Sequence, residues 1–219
     1  MIVIFDWDGT LCDSVEQIVA AMQAAANECQ LPIPEAAAVR HIIGLSLPSA
    51  MPILFPGQPA SVWDRMRDAY SRCYVALEQG PARLHEGALE TLERLRAAGF
   101  ELAVATGKSR RGLDRVLGGL GLDNYFESTR CADETRSKPD PMMLQQILAE
   151  RGKTSELALM VGDSEYDLAM ARNINMASVG VSFGVHSPAQ LARHQPRAVI
   201  DRLLDLCELP ELIAQASTG

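Results

Sequence analysis

Residues 2–5 form an unbroken apolar run, Ile-Val-Ile-Phe, that stops at Asp6. A short β-branched and aromatic run without polar alternation suits a strand covered on both faces. Four later runs have the same character, at 101–105, 157–161, 177–181 and 198–200. Between most of them the apolar positions recur at helical spacing, as at 86–98, 109–118, 140–150 and 165–173. Strands alternating with helices predict an α/β fold, a Rossmann-like parallel sheet with helices on both faces.

The alternation breaks between residues 15 and 80. Val15, Ile18, Val19, Met22, Ala26 and Cys29 follow a helical stripe, and so do Val62, Met66, Ala69, Tyr70, Cys73 and Leu77. Pro32, Pro34, Pro48, Pro52, Pro56 and Pro59 mark turns between them. The pattern predicts an all-helical cap domain at 15–80, inserted into a catalytic core domain made of 1–14 and 81–219. Short connections near 12–15 and 80–83 join the two. The tail after Glu211 is expected to fray.

Composition narrows the class. At 47% hydrophobic and 22% charged, the chain has material for a real core. The net charge of -8 and the absence of any pooled Lys and Arg argue against a nucleic-acid partner. No run nears the roughly 20 apolar residues of a membrane span, and the apolar start is too short for a signal peptide. Five scattered cysteines, an odd number with no C-x-x-C pair, fit a reducing compartment. The expectation is a cytoplasmic monomer or homodimer without a membrane partner.

In an open parallel sheet, ligands bind beyond the carboxyl ends of the strands. The first run is followed by Asp6-Trp7-Asp8-Gly9-Thr10, the second by Thr106-Gly107-Lys108-Ser109. The run ending near Val161 is followed by Gly162-Asp163 and, four residues on, Asp167; Lys138-Pro139 lies in a loop before it. Convergence would crowd Asp6, Asp8, Asp163 and Asp167, which cannot all stay ionised without compensation. A hard divalent cation held by oxygen ligands resolves this, and Mg²⁺ is the usual choice where phosphate also binds. Asp6 is then a candidate nucleophile and Asp8 a candidate acid and base. Thr106 and Lys138 can hold a phosphoryl group. Gly107 and Lys108, with Arg40 and Gly44 from the helical insertion, are candidate substrate contacts.

Asp6-x-Asp8-Gly-Thr-Leu, Thr106, Lys138-Pro and Gly-Asp163-x-x-x-Asp167, in this order, resemble the four-motif signature of the haloacid dehalogenase-like hydrolases. The likeness covers essentially the whole chain. The helical insertion is similar to the C1-type cap of the subgroup containing phosphoglycolate phosphatase and β-phosphoglucomutase. The resemblance implies Mg-dependent hydrolysis of a small phosphorylated metabolite, phosphoglycolate- or sugar-phosphate-like, through a phosphoaspartate. It also implies that Asp8 reaches the metal through its backbone carbonyl, leaving its carboxylate for proton transfer. Two positions depart from the usual pattern. Trp7 replaces a smaller apolar residue and reads as a larger packing residue that is also expected to narrow the crevice; Gly162 stands where some relatives carry a second acid.

Bland readings stand beside these. Asp-Gly is common in turns, Ser109 suits a helix N-cap, and Asp167 suits the first turn of a helix. His41, His85, His186 and His194 show no clustering with cysteines or carboxylates and read as structural or surface residues. A phosphomutase shares every motif, a haloacid dehalogenase would not need Asp8, and a non-catalytic binding module would not need all positions filled.

Overall fold

The computed structural model describes residues 1–78, 80, 82–209 and 212; the predicted fraying after Glu211 and part of the 80–83 connection lie outside them. Six parallel strands form one sheet: β1 (Ile2–Phe5), β2 (Glu101–Thr106), β3 (Ser128–Cys131), β4 (Ala158–Gly162), β5 (Ala177–Val181) and β6 (Ala198–Ile200). Their order is β3-β2-β1-β4-β5-β6. Ile2 of the central β1 is in register with Glu101 on one side and Ala158 on the other. The order reverses at β1, which opens the crevice where such sheets bind ligands.

Four helices follow β1: α1 (Val15–Glu28), α2 (Ala36–Ile42), α3 (Leu47–Leu54) and α4 (Ala60–Ala76). Five more accompany the remaining strands: α5 (Ala88–Ala97), α6 (Arg110–Leu120), α7 (Met142–Arg151), α8 (Glu165–Arg172) and α9 (Pro188–Ala192). Between residues 15 and 76 every regular element is a helix. None of the described helices is long and apolar enough to cross a membrane, and all five cysteines are unpaired.

Three apolar clusters hold these elements. Strand side chains alternate between faces, so Val3, Phe5 and Trp7 join Leu102, Val104 and Val161 on one face, over α5 and α6. Ile2 and Ile4 join Ala103, Ala105 and Met160 on the other, under α7 and α8. The third cluster lies among α1 to α4, where Ile18, Met22, Ala25, Met51, Met66 and Ala69 meet.

Two expectations are corrected. β3, with the sequence Ser-Thr-Arg-Cys, carries no apolar run and was not anticipated. It is an edge strand paired only to β2, so its outer flank needs no apolar cover; Arg130 instead binds Glu150 and Gln146. Trp7 does not narrow the crevice. It continues the Phe5 face, is fully buried, and meets the Phe126 ring edge-on at 6.4 Å.

Candidate active site

The loop leaving β1 begins at Asp6, whose backbone N–H donates to Val161 O at 2.9 Å and so extends the sheet pairing by one residue. Gly9 takes φ +83°, and a Cβ there would lie 2.3 Å from Asp163 Oδ2. The turn therefore needs glycine both for its conformation and for the close approach of the β4 loop. Thr10 donates its hydroxyl to Asp163 Oδ1 at 2.9 Å, and the Val185 N–H donates to Asp163 Oδ2 at 2.9 Å.

α8 opens with a capping box: the Ser164 hydroxyl accepts from the Asp167 N–H, and Asp167 Oδ2 accepts from the Ser164 N–H at 3.1 Å and its hydroxyl at 2.6 Å. The first-turn-acid reading of Asp167 therefore holds in part. Its other oxygen accepts from Lys138 Nζ at 2.6 Å, and the same ammonium donates to Asp6 Oδ1 at 2.7 Å. Gly162 leaves room for this arrangement, since a Cβ there would lie 2.4 Å from Asp167 Cβ.

Asp6, Asp163 and Asp167 are all buried and each offers an oxygen within 4.8 Å of the others. Lys138 is the one cation paired with them among the described residues, so full ionisation would leave two uncompensated negative charges. Burial, opposed by Lys138 but helped by Asp167 and Asp163, pushes the Asp6 carboxyl well above the usual carboxylate range. Burial and the Asp167 charge push Asp163 up to about 7. Burial works against a charged Lys138, but Asp167 and Asp6 outweigh it and hold the ammonium above the ordinary lysine range. Among the described residues, the buried Asp6 Oδ2 has no hydrogen-bond partner.

The carboxylate of Asp8 stands outside that cluster. It accepts from the Ser14 hydroxyl at 2.6 Å and pairs with Lys108 Nζ at 3.0 Å. Lys108 also reaches the Tyr74 hydroxyl at 3.4 Å and lies over the Tyr74 ring. Thr106 is buried at the end of β2, its hydroxyl accepting from the Lys108 N–H at 3.2 Å. Ser109 caps α6, as its N-cap reading expected.

A cavity of about 550 Å³ lies between these loops and the helical region, with Asp6, Asp8, Gly44, Gly107 and Lys108 in its wall. The 40–46 segment reaches the sheet loops through its backbone. A Cβ on Gly107 would lie 2.8 Å from the carbonyl oxygens of both Gly44 and Leu45. The Ser46 N–H donates to the Ser137 hydroxyl at 2.9 Å. Arg40, expected as a substrate contact, instead turns to Glu16 at 2.7 Å on the surface and does not border the cavity.

The histidine reading also needs correction. His41 and His186 meet Glu165 in one group. The Glu165 N–H donates to His186 Nδ1 at 2.9 Å, so Nε2 carries the ring proton and faces His41 Nδ1 at 3.2 Å. Tyr166 donates to the His41 carbonyl oxygen at 2.9 Å. These contacts join α2 to the start of α8, and the two histidines are 145 residues apart in sequence. Sequence reasoning gave no role in the site to Ser14, Thr10, Ser164 or the loop after β5. In that loop Gly184 was the available signal: a Cβ there would lie 2.1 Å from Asp163 Cβ.

The model of the family described as haloacid dehalogenase-like hydrolase matches residues 3–181, across the loops that follow β1, β2 and β4. The chain belongs to that family. It is 34% identical over 227 residues to the protein named "Probable phosphatase IndB" of Dickeya dadantii, covering 100% of this chain and 96% of that protein. It is 31% identical over 206 residues to the phosphoglycolate phosphatase of Agrobacterium fabrum, covering 90% and 87%. Among solved structures, a hydrolase from Pseudomonas syringae superposes with a TM-score of 0.86 at 27% identity, covering 95% of this chain and 96% of that one.

Proposed function

We propose that this hydrolase is a Mg²⁺-dependent phosphatase that cleaves a small phosphate monoester through a phosphoaspartate at Asp6. The observation that carries the reading is the partnerless buried Oδ2 of Asp6, set in the cavity wall beside two further buried carboxylates and one lysine. An orphaned carboxyl oxygen in a cluster short of positive charge fits a hard divalent cation and a phosphoryl group together. Asp6, Asp163 and Asp167 are the side chains proposed to hold the ion, with Asp8 contributing through its backbone carbonyl as in the family. When bound, Mg²⁺ supplies charge neutralisation at the transferring phosphoryl oxygens.

The protein's own groups supply the rest. A carboxylate oxygen of Asp6 attacks phosphorus and the bond to the leaving oxygen breaks. The carboxyl of Asp8 gives its proton to that oxygen, and the alcohol departs. Water then attacks the phosphoaspartate, Asp8 takes a proton from it, and inorganic phosphate leaves with Asp6 restored. Lys138 holds Asp6 in line and keeps positive charge beside the phosphoryl oxygens. The Thr106 hydroxyl and the Gly107 N–H are proposed as donors to the same oxygens. Residues 1–14 and 81–219 act as the catalytic core, and 15–80 as the cap that excludes water during transfer.

Acid quenching during turnover, followed by peptide mass analysis, should find a phosphoryl group on the peptide carrying Asp6. Inorganic phosphate should accumulate in step with the released alcohol. Phosphate returned to another hydroxyl of the substrate, with none set free, would instead mark a phosphomutase. Turnover without any phosphorylated Asp6 peptide would remove the nucleophile assignment.

A further inference from the structure

The cavity next to Asp6 and Asp8 is walled on the helical side chiefly by Ile18, Met22, Ile43, Leu47, Ala50 and Tyr70. Tyr70 and Tyr74, one turn apart on α4, both line it with ring centroids 5.9 Å apart. A volume of about 550 Å³ falls in the range of pockets that enclose a whole organic ligand. It far exceeds what a two-carbon leaving group would fill.

Three of the four cations that border this space are engaged. Lys108 pairs with Asp8, Arg72 with Glu28, and Arg115 with Glu78 while lying over the Tyr74 ring. Arg40 is turned out to Glu16. Arg111 also borders the space but is exposed. A carboxylate on the leaving group would have to draw one of these cations from its acid or reach the mouth. An aromatic ring needs none and gains from every apolar wall.

We infer that the preferred substrate, granting the phosphatase reading, is a phosphate monoester whose alcohol carries an aromatic body packed against Tyr70, Tyr74 and Ile43. A short anionic ester such as phosphoglycolate fits this chamber poorly. The inference concerns only the leaving-group side; the phosphoryl side is common to all monoesters.

The test uses the full-length protein with Mg²⁺ and three esters of primary alcohols: benzyl phosphate, ethyl phosphate and 2-phosphoglycolate. This choice keeps the advantage of a phenol leaving group out of the comparison. Benzyl phosphate should show a kcat/KM at least about tenfold above both others, equivalent to about 1.4 kcal/mol. Ala50→Phe, which fills the chamber, and Tyr70→Ala, which removes part of its wall, should each pull the benzyl-to-ethyl ratio toward one. Two variants guard against one failing to fold. Equal rates for benzyl and ethyl phosphate, a lead for 2-phosphoglycolate, or an unchanged ratio in the folded variants would overturn the inference while leaving phosphate release intact. No phosphate from any ester would overturn the phosphatase reading, and the inference with it.

Discussion

The cavity has two walls built on different principles. On the sheet side stands Asp6, behind which Lys138, Asp167 and Ser164 continue one buried chain of hydrogen bonds of 2.6 to 2.7 Å, with the Thr10–Asp163 pair beside it at 2.9 Å. On the helical side, Ile18, Met22, Ile43, Leu47 and Ala50 offer shape and apolar surface. Buried polar networks act as units, and losing one member leaves its partners unsatisfied. Apolar walls respond to volume, residue by residue. The difference suits a division of labour in which the sheet loops perform a constant reaction and the helices choose its substrate.

The sheet wall should break in large steps. Asp6→Asn should lower kcat on the order of 10⁴-fold or more, the scale of losing a covalent nucleophile, with circular dichroism unchanged. Removing divalent cations with a chelator should cost about 10³-fold, from several kcal/mol of lost charge stabilisation, and added Mg²⁺ should restore phosphate release. Undiminished activity in excess chelator would defeat the charge argument built on the three buried carboxylates.

Asp8→Asn should slow turnover by about 10²-fold or more. Because the loss is of a proton donor, it should be largest for alkyl esters and smallest for nitrophenyl phosphate; equal losses would point away from proton transfer. Gly162→Ala probes the same wall by crowding. Its new methyl would press on Asp167 Cβ and Cγ, both 2.4 Å away, so urea denaturation should find about 1–3 kcal/mol of destabilisation, and kcat should fall with the displaced Asp167.

The smallest effect should come from the joint between the two regions. Tyr166→Phe removes the donor to the His41 carbonyl oxygen, worth about 0.5–1.5 kcal/mol at a partly exposed site. KM should rise a few-fold for every ester tested, with kcat little changed. A fall in kcat without a rise in KM would mean that Tyr166 acts on the sheet wall and not on cap contact.

Much of the sheet wall was legible in the sequence. Asp6, Thr106 and Asp163 stand where short apolar runs end, and chain direction alone carries such residues to one edge of a parallel sheet. Asp8 and Asp167 follow at fixed short spacings. The helical stripes at 15–29 and 62–77 were equally plain, because a period of 3.6 residues is a local property. β3 was not, since an edge strand can be polar and still pair.

What the tertiary structure alone decided depends on groups far apart in the chain. Whether Arg40 faces the cavity or Glu16 is settled by how α1 and α2 pack, not by the identity of residue 40. Trp7 goes to the core because the pleat of β1 continues one residue past Phe5. His41, Glu165 and His186 become neighbours only when the helices seat on the start of α8. The volume and apolar character of the chamber come from side chains on α1, α3, α4 and the α2–α3 turn taken together. Local spacing carries chemistry that needs a few polar groups near one strand end; a cavity is the space several elements leave between them, and only their packing defines it.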